Sequence, residues 1–248
     1  MFESKRVFVV VPAKNEAAWI AGVLSTMPAF VDGVVVVDDG SSDATAALAT
    51  TAGAVLLSLE PSRGVGAAIV AGYREALGRG ADIVAVMAGD GQMCPDDLTS
   101  LVEPLARGEA DYAKGDRFGH PDATHVMPRA RLAVGRVLSL LTGLAIGLPS
   151  LSDSQSGYTA ITSRALQAID LDAVWPGYGY PNDLLGHLCR SGSRVVDVRV
   201  RPVYRGEASG LRARHVLTIA ALIARAAIRR AGAAGPSQSD AQAAPRAS

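Results

Sequence analysis

The chain has 248 residues, 49% of them hydrophobic, with 24 basic and 24 acidic side chains that leave a formal net charge of zero. That length and apolar content suffice for one large α/β domain whose core needs no staple, and a zero net charge supplies no whole-chain field to draw in nucleic acid. The two cysteines, Cys94 and Cys189, stand in no paired spacing, which argues against a disulfide framework or zinc site and fits a reducing, cytoplasmic setting.

The N-terminal residues run straight into a strand pattern with no signal-peptide signature, so the mature protein is expected to begin here. Residues 7–11 are a β-branched and aromatic run closed by Pro12-Ala13-Lys14-Asn15-Glu16, after which 17–27 has helical character. A second apolar run, 34–37, ends in Asp38-Asp39-Gly40-Ser41-Ser42-Asp43, ahead of an alanine-rich helix at 44–51 that Ser42 or Asp43 can cap. Residues 54–59 read as a third strand, 64–78 as a helix, 83–87 as a strand apolar on both faces and 95–107 as a helix opened by Pro95. Four strands separated by helices imply a mostly parallel central sheet flanked by helices, an α/β fold with right-handed crossovers.

The second half is less regular. Residues 110–114 suggest a short strand, 129–146 an apolar helix, and 152–158 a polar turn before another short strand and helix. Pro181-Asn182-Asp183 is expected to cap a helix at 184–189, 194–200 alternates as a strand, and 212–230 reads as a last helix. The division expected is one domain over 1–211, an amphipathic helix over 212–231 and a disordered, proline-dotted tail over 232–248.

Two constellations carry chemistry. Gly64-Val65-Gly66-Ala67-Ala68 opens a helix after a strand, as a dinucleotide fingerprint would, but the third glycine position falls on Ile69 and the acidic residue expected after the next strand is missing. These small residues are therefore read as letting the helix approach the sheet, with Arg63 able to turn towards an anion. The second constellation is the set of polar loops after strands one, two and four, the last being Ala88-Gly89-Asp90-Gly91-Gln92. Parallel strands share a direction, so all three loops emerge at one sheet edge and their side chains converge. Carboxylates of the first two can accept hydrogen bonds from a base and a ribose, while Asp90 and Gln92 offer the oxygen donors that suit Mg²⁺ or Mn²⁺.

The loops Pro-Ala-Lys-Asn-Glu and Val-Asp-Asp-Gly-Ser-Ser-Asp, together with Arg-Gly-Val-Gly-Ala-Ala and Gly-Asp-Gly-Gln-Met, resemble the nucleotide-sugar-binding half of the family 2 glycosyltransferases, with the GT-A fold. Within that family the chain is similar to the dolichyl-phosphate mannose synthase branch, the polyprenyl-phosphate sugar transferases with their Asp-x-Asp-x-Gln signature. The resemblance implies that Pro12, Ala13, Glu16 and Asp39 hold base and ribose, with Asn15, Arg63, Gly64 and Gly89 completing the donor set. It makes Asp90 and Gln92 the metal pair, with Ala88 standing where the first aspartate usually lies. It matches Arg117 of Gly-Asp-Arg-Phe to a phosphate-contacting arginine, and Asp153, Gln155, Ser156, Gly157 and Tyr158 to a turn near the donor sugar. Asp183 matches the catalytic aspartate of relatives that glycosylate hydroxyls, with Asn182 in place of the neighbouring glutamate; helix capping is its other reading.

The implied reaction is an inverting displacement on a nucleotide-diphosphate sugar, GDP- or UDP-linked. A lipid phosphate acceptor would need only cations such as Arg117, Arg131 and Arg205, whereas a hydroxyl acceptor would need a base such as Asp183. Residues 216–224, flanked by arginines, and 137–148 are too short to cross a bilayer but long enough to lie on one; packing against the protein or a second subunit is the other reading. The expectation is a transferase peripheral to the inner face of the cell membrane, compatible with a homodimer. The histidines show no ligand spacing, and Tyr178 and Tyr180 are read as packing residues or as the lip of the acceptor entrance.

Overall fold

A computed structural model describes residues 1–204 and 213–233. Its centre is a seven-stranded sheet built from β1 (Val7–Ala13), β2 (Gly33–Asp38), β3 (Val55–Ser58), β4 (Ile83–Val86), β5 (Tyr112–Asp116), β6 (Thr159–Thr162) and β7 (Val195–Arg199). The spatial order is β3-β2-β1-β4-β6-β5-β7. Pairing of β1 with β2 and β4, of β2 with β3 and of β5 with β7 is parallel, while β6 runs antiparallel to both its neighbours. The mostly parallel α/β sheet expected from the sequence is therefore present, with one reversed strand.

The reason the strand runs are apolar throughout is that helices cover both faces. In β1, Phe8 and Val10 pack with Ile69 and Tyr73 of α3 (Val65–Gly78). Val7, Val9 and Val11 face the other way, onto Ile20 of α1 (Ile20–Ser25) and Leu98 and Leu101 of α4 (Leu98–Ala106). Each such fully buried valine contributes about 1.5–3 kcal/mol of transfer free energy. Helix α2 (Thr45–Thr51) adds Ala49 to the second core, and α7 (Ser163–Gln167) adds Ala165 and Leu166 to the first. The N-cap of α2 is Ala44, with no side-chain cap of its own, and Asp43 just before it accepts from the Thr45 amide at 3.0 Å.

Beyond β5, the short α5 (Ala123–Val126) leads to α6 (Arg129–Ile146), whose bounds are those read from the sequence. It stops at Gly147, which takes the left-handed conformation (φ 82°) that a C-terminal cap favours. Helix α8 (Tyr180–Arg190) starts four residues earlier than expected. Gly179 is its N-cap, so Pro181, Asn182 and Asp183 lie inside the first turn instead of capping it, and the missing N–H of Pro181 costs nothing there. The last described helix, α9 (Ala213–Ala233), packs on α6 and α8. Gly232 and Ala233, expected to open the disordered tail, belong to α9, which runs two residues further than the expected helix end; the rest of the tail, 234–248, and Arg205 fall outside the described residues.

Candidate active site

Topology brings the site together at one edge of the sheet. The C-terminal ends of β1, β2, β4 and β5 point the same way, and because β6 is antiparallel, the turn that precedes it arrives at that edge too. Hydrogen bonds lock the first two loops to each other: Asn15 Oδ1 accepts from the Ser42 amide at 2.8 Å, the Asn15 amide donates to Ser41 Oγ at 2.9 Å, and the Glu16 amide donates to Thr45 Oγ1 at 2.8 Å. Asn15 holds the left-handed conformation (φ 58°) that asparagine tolerates. Asp39 pins the next segment, accepting from Ser62 Oγ at 2.7 Å, the Arg63 amide at 2.7 Å and the Gly64 amide at 3.0 Å.

Between these loops lies a cleft of about 420 Å³, lined by Pro12, Ala13, Glu16, Asp39, Gly64, Gly89 and Asp90 of the expected donor set. Lys14, Ser62 and Tyr178 also line it. Lys14 was not among the expected donor residues, although it sits inside the first loop motif; its Nζ donates to Ser62 Oγ at 2.8 Å. Asn15 and Arg63 are not part of this lining. Asn15 ties the loops together, and the Arg63 backbone binds Asp39 while its side chain is exposed.

Asp90 also borders a second, smaller pocket of about 130 Å³ with Gln92 and Arg117. The turn that presents the pair closes on itself, the Gln92 amide donating to Asp90 Oδ1 at 2.9 Å. Arg117 does not pair with the adjacent Asp116. Its Nε and Nη2 grip Asp153 in a fork, at 2.7 and 3.1 Å, with the arginine side chain 22% exposed and the aspartate fully buried. Among the described residues two of its five guanidinium N–H groups are thus used, which leaves three to meet an anion. Burial alone would push the Asp153 carboxyl up, but the Arg117 guanidinium holds it below its ordinary value. Buried this way, Asp153 aims Arg117 and does not itself reach a sugar. Gln155, in the same turn, donates through Nε2 to Ser154 Oγ at 2.8 Å and Asn182 Oδ1 at 3.1 Å.

A residue that sequence reasoning missed completes this corner. Lys114 on β5 is fully buried and donates to the Ser156 carbonyl at 2.6 Å. Burial pulls its ammonium down to about 8, against the attraction of Asp153 and Asp197. A lysine inside a short strand reads as an edge position, so no sequence signal marked it. Its folded pKa lies below the unfolded value near 10.4, so between about pH 8 and 10.4 the unfolded chain binds more protons and this group makes stability rise with pH. Chemical denaturation should show wild type gaining up to about 3 kcal/mol on Lys114→Met across that window; parallel pH curves would remove the buried-ammonium assignment.

The glycines of the partial dinucleotide motif serve a contact the sequence did not suggest. A Cβ on Gly66 would collide with the Trp175 carbonyl, and the Ala67 amide at the start of α3 already donates to the Pro176 carbonyl at 2.9 Å. These positions let the 175–177 loop, not the sheet, approach the helix; it is Gly72 that meets the sheet, at Val10.

Asp183 is likewise occupied. Its Oδ2 accepts from the Trp175 amide at 2.8 Å, its Oδ1 binds Arg225 of α9, and His187 lies 3.7 Å away. It is buried and absent from the lining of either site pocket. Of the two tyrosines, Tyr180 is buried in the core while Tyr178 stacks on His215 of α9 at 4.3 Å and faces the cleft. Arg131 lies over the Tyr204 ring at 4.7 Å.

Sequence comparison places these loops in a known family: the family model described as glycosyl transferase family 2 matches residues 8–170. The chain belongs to glycosyltransferase family 2. An undecaprenyl-phosphate mannosyltransferase of Micrococcus luteus is 33% identical over 208 residues, spanning 81% of this chain and 84% of that protein. A polyprenol monophosphomannose synthase of Mycolicibacterium smegmatis is 30% identical over 210 residues, spanning 79% and 77%. Among solved structures, glucosyl-3-phosphoglycerate synthase of Mycobacterium tuberculosis in complex with Mn²⁺ and UDP-glucose superposes with a TM-score of 0.66 at 26% identity, covering 90% of this chain and 79% of that one. The fold is thus the GT-A fold that the loop motifs implied.

The donor set suits a hard divalent cation. Among the described residues no three His, Cys, Asp or Glu side chains cluster as a metal cage, yet Mg²⁺ is commonly held by one or two carboxylates with substrate phosphates and water. Asp90, shared by both pockets and next to Gln92, fits that pattern.

Proposed function

We propose that this family 2 glycosyltransferase moves a sugar from a nucleoside-diphosphate donor to a polyprenyl phosphate at a membrane surface. The observation that carries the reading is Arg117, fixed by Asp153 with three donors to spare, in the small pocket that Asp90 also lines. That arrangement suits two anions meeting at one carbon. Pro12, Ala13, Glu16 and Asp39 would receive base and ribose, GDP or UDP, in the larger cleft. Asp90 and Gln92 would hold Mg²⁺ or Mn²⁺, which when bound neutralises charge on the departing diphosphate. Arg117 orients the acceptor phosphate, whose oxygen is already anionic, so the chain need not remove a proton. Attack from the face opposite the diphosphate inverts the anomeric carbon.

The lipid acceptor fits the surface. Helix α6 turns Val134, Val137, Leu140, Leu141 and Leu144 to solvent, and α9 exposes Leu217 and Ile228 next to Arg229 and Arg230. No described helix is long and apolar enough to cross a membrane. Apolar side chains flanked by arginines suit a helix lying on an anionic bilayer, which supports a peripheral position on the inner membrane face. A second copy covering the same face is the competing arrangement.

The test is transfer of labelled sugar in anionic vesicles containing polyprenyl phosphate or polyprenol, with and without Mn²⁺. Product on the phosphate alone, dependent on metal, is expected. Product on the alcohol, or none on either from any GDP- or UDP-sugar, would contradict the reading.

A further inference from the structure

Next to the nucleotide cleft lies a second cavity, of about 160 Å³, whose walls differ in kind. It shares Pro12, Val65, Ala88 and Tyr178 with the cleft, so it opens from the donor side. Its floor is Ile69, Val86 and Met93, side chains with no hydrogen to give and no strong acceptor. Its far wall, Gly179 to Pro181, is closed off from the exposed apolar helices, because Ile219 and Leu222 of α9 pack directly behind Gly179. The cavity also meets the Arg117 pocket at Met93 and Gly157, so an occupant arrives from the sugar-transfer site and not along the lipid face.

The space exceeds what a single water needs, and a sugar hydroxyl reaching the Ile69, Val86 and Met93 floor would lose its hydration against side chains that return no hydrogen bond. An apolar substituent gains there instead. The polar side is specific as well. Both amide hydrogens of Gln155 are committed, to Ser154 Oγ and Asn182 Oδ1, so its oxygen is the group left to a ligand, and an oxygen accepts. The alanine at position 88 belongs to this wall: its amide donates to Met93 Sδ at 3.2 Å, folding the methionine inwards, and an aspartate there would place a charge on an apolar surface.

We propose that this cavity is a specificity pocket for the acetamido group of a 2-acetamido-2-deoxy sugar donor, its methyl seated among Ile69, Val86, Ala88 and Met93 and its N–H donated to Gln155 Oε1. The proposal rests on the reading of the adjoining cleft as the nucleotide-sugar site. It gives Ala88 a purpose: the residue that removes one carboxylate from the metal motif also makes the pocket apolar.

The experiment compares donors that share a base. Transfer from UDP-N-acetylglucosamine should exceed transfer from UDP-glucose by at least about tenfold in kcat/KM, the scale on which one buried methyl group discriminates. Ala88→Leu, which fills the pocket, should erase most of that ratio by lowering the acetamido donor's rate more than the other's. Saturation-transfer NMR of UDP-N-acetylglucosamine on the wild-type chain provides a readout that no variant need fold for, and its acetyl methyl should receive the strongest saturation. Equal or better use of UDP-glucose or GDP-mannose, or an acetyl methyl no more saturated than the ribose protons, overturns the pocket while leaving the transferase reading intact. Failure to bind either UDP or GDP by calorimetry overturns both.

Discussion

Asp90→Asn lowers sugar transfer by at least about 10³-fold while leaving the melting transition where it was. Among the described residues this carboxylate is the one acidic group common to the large cleft and the Arg117 pocket, so removing its charge would withdraw the proposed anchor for a cation opposite the diphosphate, an effect on the scale of losing a main transition-state donor. Asparagine keeps the side-chain oxygen that accepts the Gln92 amide, so the turn survives. Calorimetry separates the two consequences: UDP or GDP binding to the variant should no longer strengthen on adding Mn²⁺. Metal-enhanced binding that persists in Asp90→Asn would move the cation elsewhere.

Arg117→Met has the second largest effect, and it acts twice. It removes the guanidinium expected to meet phosphate, and it strands Asp153, a carboxylate with no exposed surface, with Lys114 as its remaining cationic neighbour. Breaking a buried pair from one side costs about 3–5 kcal/mol, and Lys114 should hold the loss near the lower end, at about 3 kcal/mol. The double variant Arg117→Met with Asp153→Asn tests this, because neutralising both partners removes the stranded charge. Stability should recover by more than half while transfer stays at least about 10²-fold down. If activity recovered along with stability, Arg117 would be structural and the phosphate contact would have to come from elsewhere.

What could be read from the chain follows from how local each signal is. The strand runs 7–11 and 83–87 were legible because burial on both faces leaves no polar residue to break the pattern. The convergence of the Pro12, Asp38 and Asp90 loops followed from parallel direction alone, and β6, although reversed, delivers its turn to the same edge. The partnerships were not legible. Nothing near Arg117 in sequence announces Asp153, 36 residues away; the adjacent Asp116 is taken up by its own turn, where its Oδ1 accepts the Phe118 and Gly119 amides. The start of α8 was misplaced because Gly179, not a polar side chain, is its cap. The exposed stripe of α6 was visible only as a short apolar segment, since periodicity cannot tell a core-facing helix from one whose outer face is also apolar.

Asp183 separates a phosphate acceptor from a hydroxyl acceptor. The aspartate that resembles a hydroxyl-activating base is held by the Trp175 amide and Arg225, joining α9 to the loop that packs on the start of α3. If the acceptor is a phosphate, this carboxylate positions a loop and moves no proton. The decisive measurement is kcat for transfer to polyprenyl phosphate by Asp183→Asn, which keeps the acceptor for Trp175 and loses the charge facing a partly exposed arginine, at a cost of about 1–2 kcal/mol in stability. A kcat within about fivefold of wild type is expected, whereas loss of a general base removes about 10²–10⁴-fold. A drop of that size in a folded variant would contradict the claim that the acceptor brings its own negative charge.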